Sequence, residues 1–138
     1  MNDFNLSFHH LGLAVTKKEP AIHFIKGLGY KISDTVYDMQ QEVNLVFCQH
    51  DIQPDIEIIF SSDKVGPLDQ ILKKNDTLIY HTCYTTHDIK NTIEIFKQHK
   101  IRTMLISPPK PAILFNNRQV AFYYVQGFGL IELLQVEI

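Results

Sequence analysis

The segment Phe8-His9-His10-Leu11-Gly12-Leu13-Ala14-Val15 returns once, 71 positions later, as Ile79-Tyr80-His81-Thr82-Cys83-Tyr84-Thr85-Thr86. That recurrence constrains the fold more than any other feature of the chain. At the same offset His10 falls on His81, Gly12 on Cys83, Ile22 on Ile93, Ile25 on Phe96 and Tyr30 on Ile101. The pattern runs without a gap from a strand through a helix into the next strand. Such self-similarity marks an internal duplication, and two superimposable halves are expected.

Taken in order, residues 8–15 alternate, with Leu11, Leu13 and Val15 on one face and His10, Gly12 and Ala14 on the other, as in a half-buried strand. Thr16 to Glu19 has the form of a capping box, which starts a helix near Lys17. Ala21, Ile22, Ile25 and Leu28 make its buried stripe, and Gly29 its left-handed stop. Strands are expected over 30–37, 43–48 and 55–60, the last two joined by a turn at Gln53-Pro54. Gly66-Pro67 opens a short connecting helix through Lys74, placed at about 66–75. The order then repeats: strand 79–86, helix 88–99 with Ile89, Ile93 and Phe96 inward, then strands 101–106, 119–125 and 130–136. Gly127-Phe128-Gly129 turns between the last two, and Ser107 to Asn117, rich in proline and asparagine, reads as a long surface loop. Each half is therefore strand-helix-strand-strand-strand, with module one at about 8–60 and module two at about 79–136 of a single domain.

Composition narrows the function. A chain of 138 residues with 45% apolar content and net charge −2 has enough apolar material for one core and no basic field for a phosphate backbone, so nucleic-acid binding is not expected. Cys48 and Cys83 lie in apolar runs, where a thiol behaves as a small hydrophobe. They form no CxxC pair, which fits a reducing compartment. No charged start followed by an apolar core and no run of membrane-spanning length is present, so the expected setting is cytoplasmic and away from membranes.

The apolar face of each sheet, formed by Leu11/Leu13/Val15, Ile56/Ile58/Phe60 and Ile131/Leu133, must turn to the helices. The opposite face then carries His10 and Glu57 in the first half and His81 and Glu132 in the second. If the halves pair about a pseudo-twofold axis, two imidazoles and two carboxylates converge. Such a set suits a divalent transition metal, Zn, Ni, Co, Mn or Fe, with two positions left for water or substrate oxygens. A lone strand histidine is more often structural. The repeat of both residue types at matched places is what favours ligation. His9 faces the other way, His23, His87 and His99 fall on or beside helices in solvent, and His50 sits in a turn. Phe115, Phe122, Tyr123, Tyr124 and Phe128 read first as core and loop packing. A second role for them is the mouth of a pocket in which Arg118 or Lys110 meets an anionic substrate.

The segments Phe8 to Val15, Ile79 to Ile89, Asp55 to Phe60 and Gly129 to Leu134 resemble the vicinal oxygen chelate superfamily, which includes glyoxalases, bleomycin-resistance proteins and dioxygenases. Within it they are most similar to methylmalonyl-CoA epimerase and glyoxalase I. The resemblance implies an α+β fold in which two tandem βαβββ modules form a curved mixed sheet with helices on its outer face. It also implies a metal held by His10, Glu57, His81 and Glu132. It further implies proton abstraction beside a carbonyl by a first-shell carboxylate, Glu132 in the first instance and Glu57 in the second. The substrate expected is a small molecule, an acyl-CoA or other thioester, and similar proteins are often homodimers. Where epimerases carry a carboxylate ahead of their third strand, this chain reads Gln40-Gln41-Glu42. Three other readings share the resemblance. One is a glyoxalase I-like lactoylglutathione lyase. Another is an iron-dependent dioxygenase using His10, His81 and Glu132. The third is a metal-free protein that sequesters a small molecule, as bleomycin-resistance proteins do.

Overall fold

The computed structural model describes residues 2–61, 68 and 72–137. Its elements are β1 (Ser7–Val15), α1 (Lys18–Gly27), β2 (Lys31–Ile32), β3 (Val36–Asp38), β4 (Val43–Gln49) and β5 (Ile56–Phe60). They continue as β6 (Thr77–Thr86), α2 (Ile89–Gln98), β7 (Thr103–Ala112), a 3₁₀ turn (Ile113–Phe115), β8 (Arg118–Val125) and β9 (Gly129–Gln135). Half of the expected helix at 66–75, namely 66, 67 and 69–71, lies outside the described residues. The class is α+β, and the chain divides into two compact units, His10–Tyr80 and Met1–His9 with His81–Ile138.

In the first unit the strand order is β2-β4-β5-β1, with β3 also on β4. β1 runs parallel to β5, while β4 pairs antiparallel with β5, β2 and β3. Val15, Ile25, Tyr30, Val46, Cys48 and Ile58 form the core, with Leu13, Ala21, Ile22, Ile56 and Phe60 packed on it. Helix α1 thus covers the face carrying Leu13, Val15 and Ile58, as the alternation requires. Leu28, expected in that stripe, is 40% exposed. It lies at the C-cap, beyond the helix proper. Gly29 follows with φ +97°, the left-handed stop that glycine allows without steric cost.

The capping box does not form. Lys17 is the N-cap residue and makes no side-chain cap. Thr16 instead donates its backbone N–H (3.0 Å) and its hydroxyl (3.4 Å) to the carbonyl of Asp76. The expected strand 30–37 is split, because Ser33 leaves the strand path. Its N–H donates to the Phe47 carbonyl at 2.9 Å, and its hydroxyl accepts from the Phe47 N–H at 2.8 Å.

In the second unit the order is β6-β9-β8-β7, with β6 parallel to β9 and the remaining pairs antiparallel. Ile89, Phe96, Ala121, Ile131 and Leu133 form a core under α2, and Phe4 and Leu6 of the N-terminal arm pack on it. Here the cap is orthodox, since the Asp88 carboxylate accepts from the Asn91 N–H at 3.1 Å. The opposite face holds a second cluster of Cys83, Ala112, Val120 and Leu134. The expected loop from Ser107 to Asn117 is a correction: strand β7 continues through Ala112. β7 is the edge of its unit's strand order, where Pro108, Pro109 and Pro111 need no outward N–H.

Candidate functional site

In the first unit Gly12 of β1 lies opposite Glu57 of β5, and Phe47 of β4 lies opposite Glu57 on its other side. Partners across a ladder point to the same face, and His10, two residues before Gly12, shares it. The result is a buried pair on the face away from α1. His10 is 0% and Glu57 4% exposed, with Nε2 and Oε1 3.8 Å apart. The Phe47 ring meets the His10 imidazole edge-on, at 5.7 Å between centroids and 87° between planes.

The second unit repeats this construction. Glu132 of β9 lies opposite Cys83 of β6 and Phe122 of β8. His81, two residues before Cys83, is 2% exposed and Glu132 1%, with Nε2–Oε1 at 3.3 Å. Phe122 stands edge-on to His81 at 5.3 Å and 80°. Each unit therefore carries a histidine on its first strand, a glutamate on its last and a phenylalanine on the strand between or beside them. A small residue, Gly12 or Cys83, leaves room next to each carboxylate. Of this aromatic wall the sequence reading named Phe122, first as packing and second at the mouth of a pocket, and missed Phe47, which looks like an ordinary core position.

Burying a carboxylate is costly unless a cation or several donors satisfy it. A neutral imidazole offers one N–H, and a divalent cation offers much more. Ligands about 2.0–2.2 Å from one ion at near-tetrahedral or octahedral angles stand roughly 3.0–3.5 Å apart. The His81–Glu132 spacing of 3.3 Å falls within that window, and the His10–Glu57 spacing of 3.8 Å lies a few tenths beyond it. The donor types also match, imidazole and carboxylate serving the later first-row divalent metals. Each pair is thus fit to supply two ligands.

The remaining histidines are placed otherwise. His9 packs edge-on against Phe115 at 5.2 Å. His23, His87 and His99 are exposed. His50 Nδ1 accepts from the N–H groups of Ile52 and Gln53, each at 3.0 Å, so its proton sits on Nε2 and is donated to the Leu28 carbonyl at 3.0 Å. That imidazole ties the β4–β5 turn to the end of α1.

A third carboxylate went unnoticed in the sequence. Asp38, opposite Val43 and so on the face of Leu45 and Phe47, is 1% exposed. It accepts from Gln40 N (2.9 Å), Gln41 N (3.1 Å) and Gln41 Nε2 (3.0 Å). An aspartate followed by a tight polar turn is the signal that could have found it. Glu42 is exposed in that turn at φ +58°.

Residues 9–122 match the family model described as Glyoxalase/Bleomycin resistance protein/Dioxygenase superfamily. The chain belongs to this superfamily. Among solved structures it is similar to methylmalonyl-CoA epimerase from Mycobacterium tuberculosis, with TM-score 0.75, 17% identity, and 95% of this chain and 88% of that one covered. It is also similar to a hypothetical protein from Bacillus halodurans C-125, with TM-score 0.78, 21% identity and 96% of each chain covered. A Streptomyces coelicolor methylmalonyl-CoA epimerase in complex with 2-nitronate-propionyl-CoA aligns with TM-score 0.71 and 14% identity over 95% of this chain and 97% of that one. At these identities the likeness is one of fold. No curated protein sequence matches.

Proposed function

We propose that His10, Glu57, His81 and Glu132 together hold one divalent transition metal, and that the protein is an epimerase or isomerase acting on the carbon next to a thioester carbonyl. The observation that carries this reading is the doubled pair itself: two wholly buried histidine–glutamate couples, built alike on corresponding strands of the two units. Structural neighbours include a methylmalonyl-CoA epimerase in complex with methylmalonyl-CoA and NH4+, which favours an acyl-CoA as the substrate class. When bound, the metal supplies Lewis-acid stabilisation of negative charge on a carbonyl oxygen, on the order of several kcal/mol.

The protein residues do the rest. Glu132 is the proton acceptor of choice, its carboxylate held among Cys83, Phe122 and His81 with almost no exposure to water. A carboxylate so shielded is not weakened as a base by hydration, and the protonated Glu132, or Glu57 in the matching place after receiving that same proton, returns it to the carbon. Phe47 and Phe122 fix the imidazole planes from the side and keep solvent off them. Asp38 holds the backbone N–H groups of Gln40 and Gln41 and the Gln41 carboxamide in a defined turn, its own position in the ladder being on the face of Glu57.

Two measurements test the proposal. Purified protein should carry close to one transition metal per chain by elemental analysis, and the His10→Ala and Glu132→Ala variants should lose it. Metal-loaded protein incubated with methylmalonyl-CoA in deuterated water should exchange the α-proton, followed by NMR. Metal content equal in wild type and variants would reject the shared site. Absence of exchange in loaded protein would reject the epimerase assignment.

A further inference from the structure

We infer that Lys110 and Arg118 form an anion subsite on the face of the second unit that carries His81 and Glu132, and that it grips an oxyanion, carboxylate or phosphate, borne by the substrate. On β7 and β8 Lys110 lies opposite Val120, and Ala112 opposite Arg118. Val120 and Ala112 cluster with Cys83 and Leu134 on the side away from α2. Residues opposite one another in a ladder share a face, so both cations rise from the side of Glu132, which alternates with Leu134 along β9. Lys110 and Arg118 are diagonal neighbours on the antiparallel pair, with β-carbons about 7–8 Å apart. Two side chains of their length can close on a single oxyanion from that spacing.

Among the described residues neither cation is already used, and neither makes an ion pair with a carboxylate. Lys110 is half-buried, and Pro109 and Pro111 on either side restrict its backbone. Arg118 is exposed at the first position of β8 and borders a hollow at that end of the sheet with Asn117, Gln119, Gln135 and Glu137, the last being the one carboxylate among the described lining residues. In a chain with net charge −2, two neighbouring cations without an ion pair among the described residues are an exception to the overall field.

The distance from Glu132 says which part of a substrate they meet. Lys110 stands two residues along and two strands across from Glu132, roughly 12 Å between backbones at about 3.3 Å per residue and 4.8 Å per strand. An anion held there belongs to a group several bonds from the reacting carbon. The inference rests on the proposed role of Glu132, and the test separates the two.

Wild type, Lys110→Met, Arg118→Met and the double variant would be titrated by calorimetry with three probes: methylmalonyl-CoA, methylmalonyl-pantetheine, which lacks the phosphates, and propionyl-CoA, which lacks the free carboxylate. Each single substitution should weaken the anion-bearing ligand about ten-fold, the loss of one charge-assisted contact, and the double variant more. Lys110→Arg should restore most of it. Loss confined to the two CoA probes identifies a phosphate, and loss confined to the two methylmalonyl probes identifies the carboxylate. In exchange kinetics KM should rise with kcat little changed. If wild type binds propionyl-CoA through these residues yet exchanges no proton, the epimerase reading fails and the subsite stands. Unchanged affinity of all three probes in a folded double variant would overturn the subsite.

Discussion

Replacing Glu132 by glutamine should stabilise or leave untouched the metal-free protein and destabilise the metal-loaded one relative to wild type. The opposite signs follow from burial. Glu132 is 1% exposed and its Oε1 stands 3.3 Å from His81 Nε2. Without a cation, a carboxylate so placed carries a desolvation cost that one imidazole does not offset, and exchange for a neutral side chain of the same shape is often neutral or favourable by about 1–4 kcal/mol. With a cation, the same carboxylate is a ligand. Free metal at a hundred times its Kd stabilises wild type by about 2.7 kcal/mol. At roughly 2.1 cal/mol/K per residue that amounts to a rise in Tm of about 9 °C for a chain of this length. A hundred-fold loss of affinity, as large as the loss of a mere supporting partner can bring, leaves the variant about 0.4 kcal/mol, or roughly 1 °C. The assay is differential scanning calorimetry of both proteins, stripped with chelator and then titrated with Zn, Ni, Co or Mn. A wild type whose Tm ignores every one of these metals would refute the reasoning. So would a Glu132→Gln protein whose Tm rises as much as wild type on metal addition.

Phe96→Ala should cost about 3–5 kcal/mol in urea denaturation, because the ring is 4% exposed in the α2 core and stacks edge-on with Phe4 at 5.2 Å; a loss under 1 kcal/mol would contradict that packing. Gly29→Ala should destabilise by more than about 1 kcal/mol, since φ is +97° and the new methyl would meet His50 Nε2 at 3.4 Å; an unchanged urea midpoint would show that the turn relaxes freely. Cys48 should resist iodoacetamide in the folded protein at pH 8 and react once unfolded, because burial, with Asp55 adding to it, pushes the thiol up to about 11. Its native pKa lies above the ordinary value of 9.0, so its preference for the neutral form stabilises the fold fully below about pH 9 and fades as pH rises through 11. Rapid alkylation of native protein, read by mass spectrometry, would count against that burial.

What the sequence revealed and what it hid divide along one physical line. Strand alternation is local, so the faces of β1, β5, β6 and β9 were legible, and with them the four buried residues His10, Glu57, His81 and Glu132. Partners distant in sequence were not. Thr16 and Glu19 have the letters of a capping box, yet Thr16 finds the Asp76 carbonyl 60 residues away and the box is lost. The three prolines of β7 read as a loop because a single sequence does not show which strand is an edge, and only an edge forgives the missing N–H groups. Ser33 breaks its strand for a partner on β4 that no local pattern announces. The same limit explains why Phe47 and Asp38 were passed over and Phe122 was read first as packing: each looks like core or turn until the ladder sets it beside a histidine, a glutamate or a glutamine. Duplication eases the limit, since a feature found in one unit can be sought in the other. The glutamate–phenylalanine pairing obeys it in both units, whereas Asp38, Lys110 and Arg118 each lack a charged counterpart at the matching place. Residues that the two halves share are candidates for the chemistry common to the superfamily, and those that break the symmetry are where this chain's own substrate choice is to be sought.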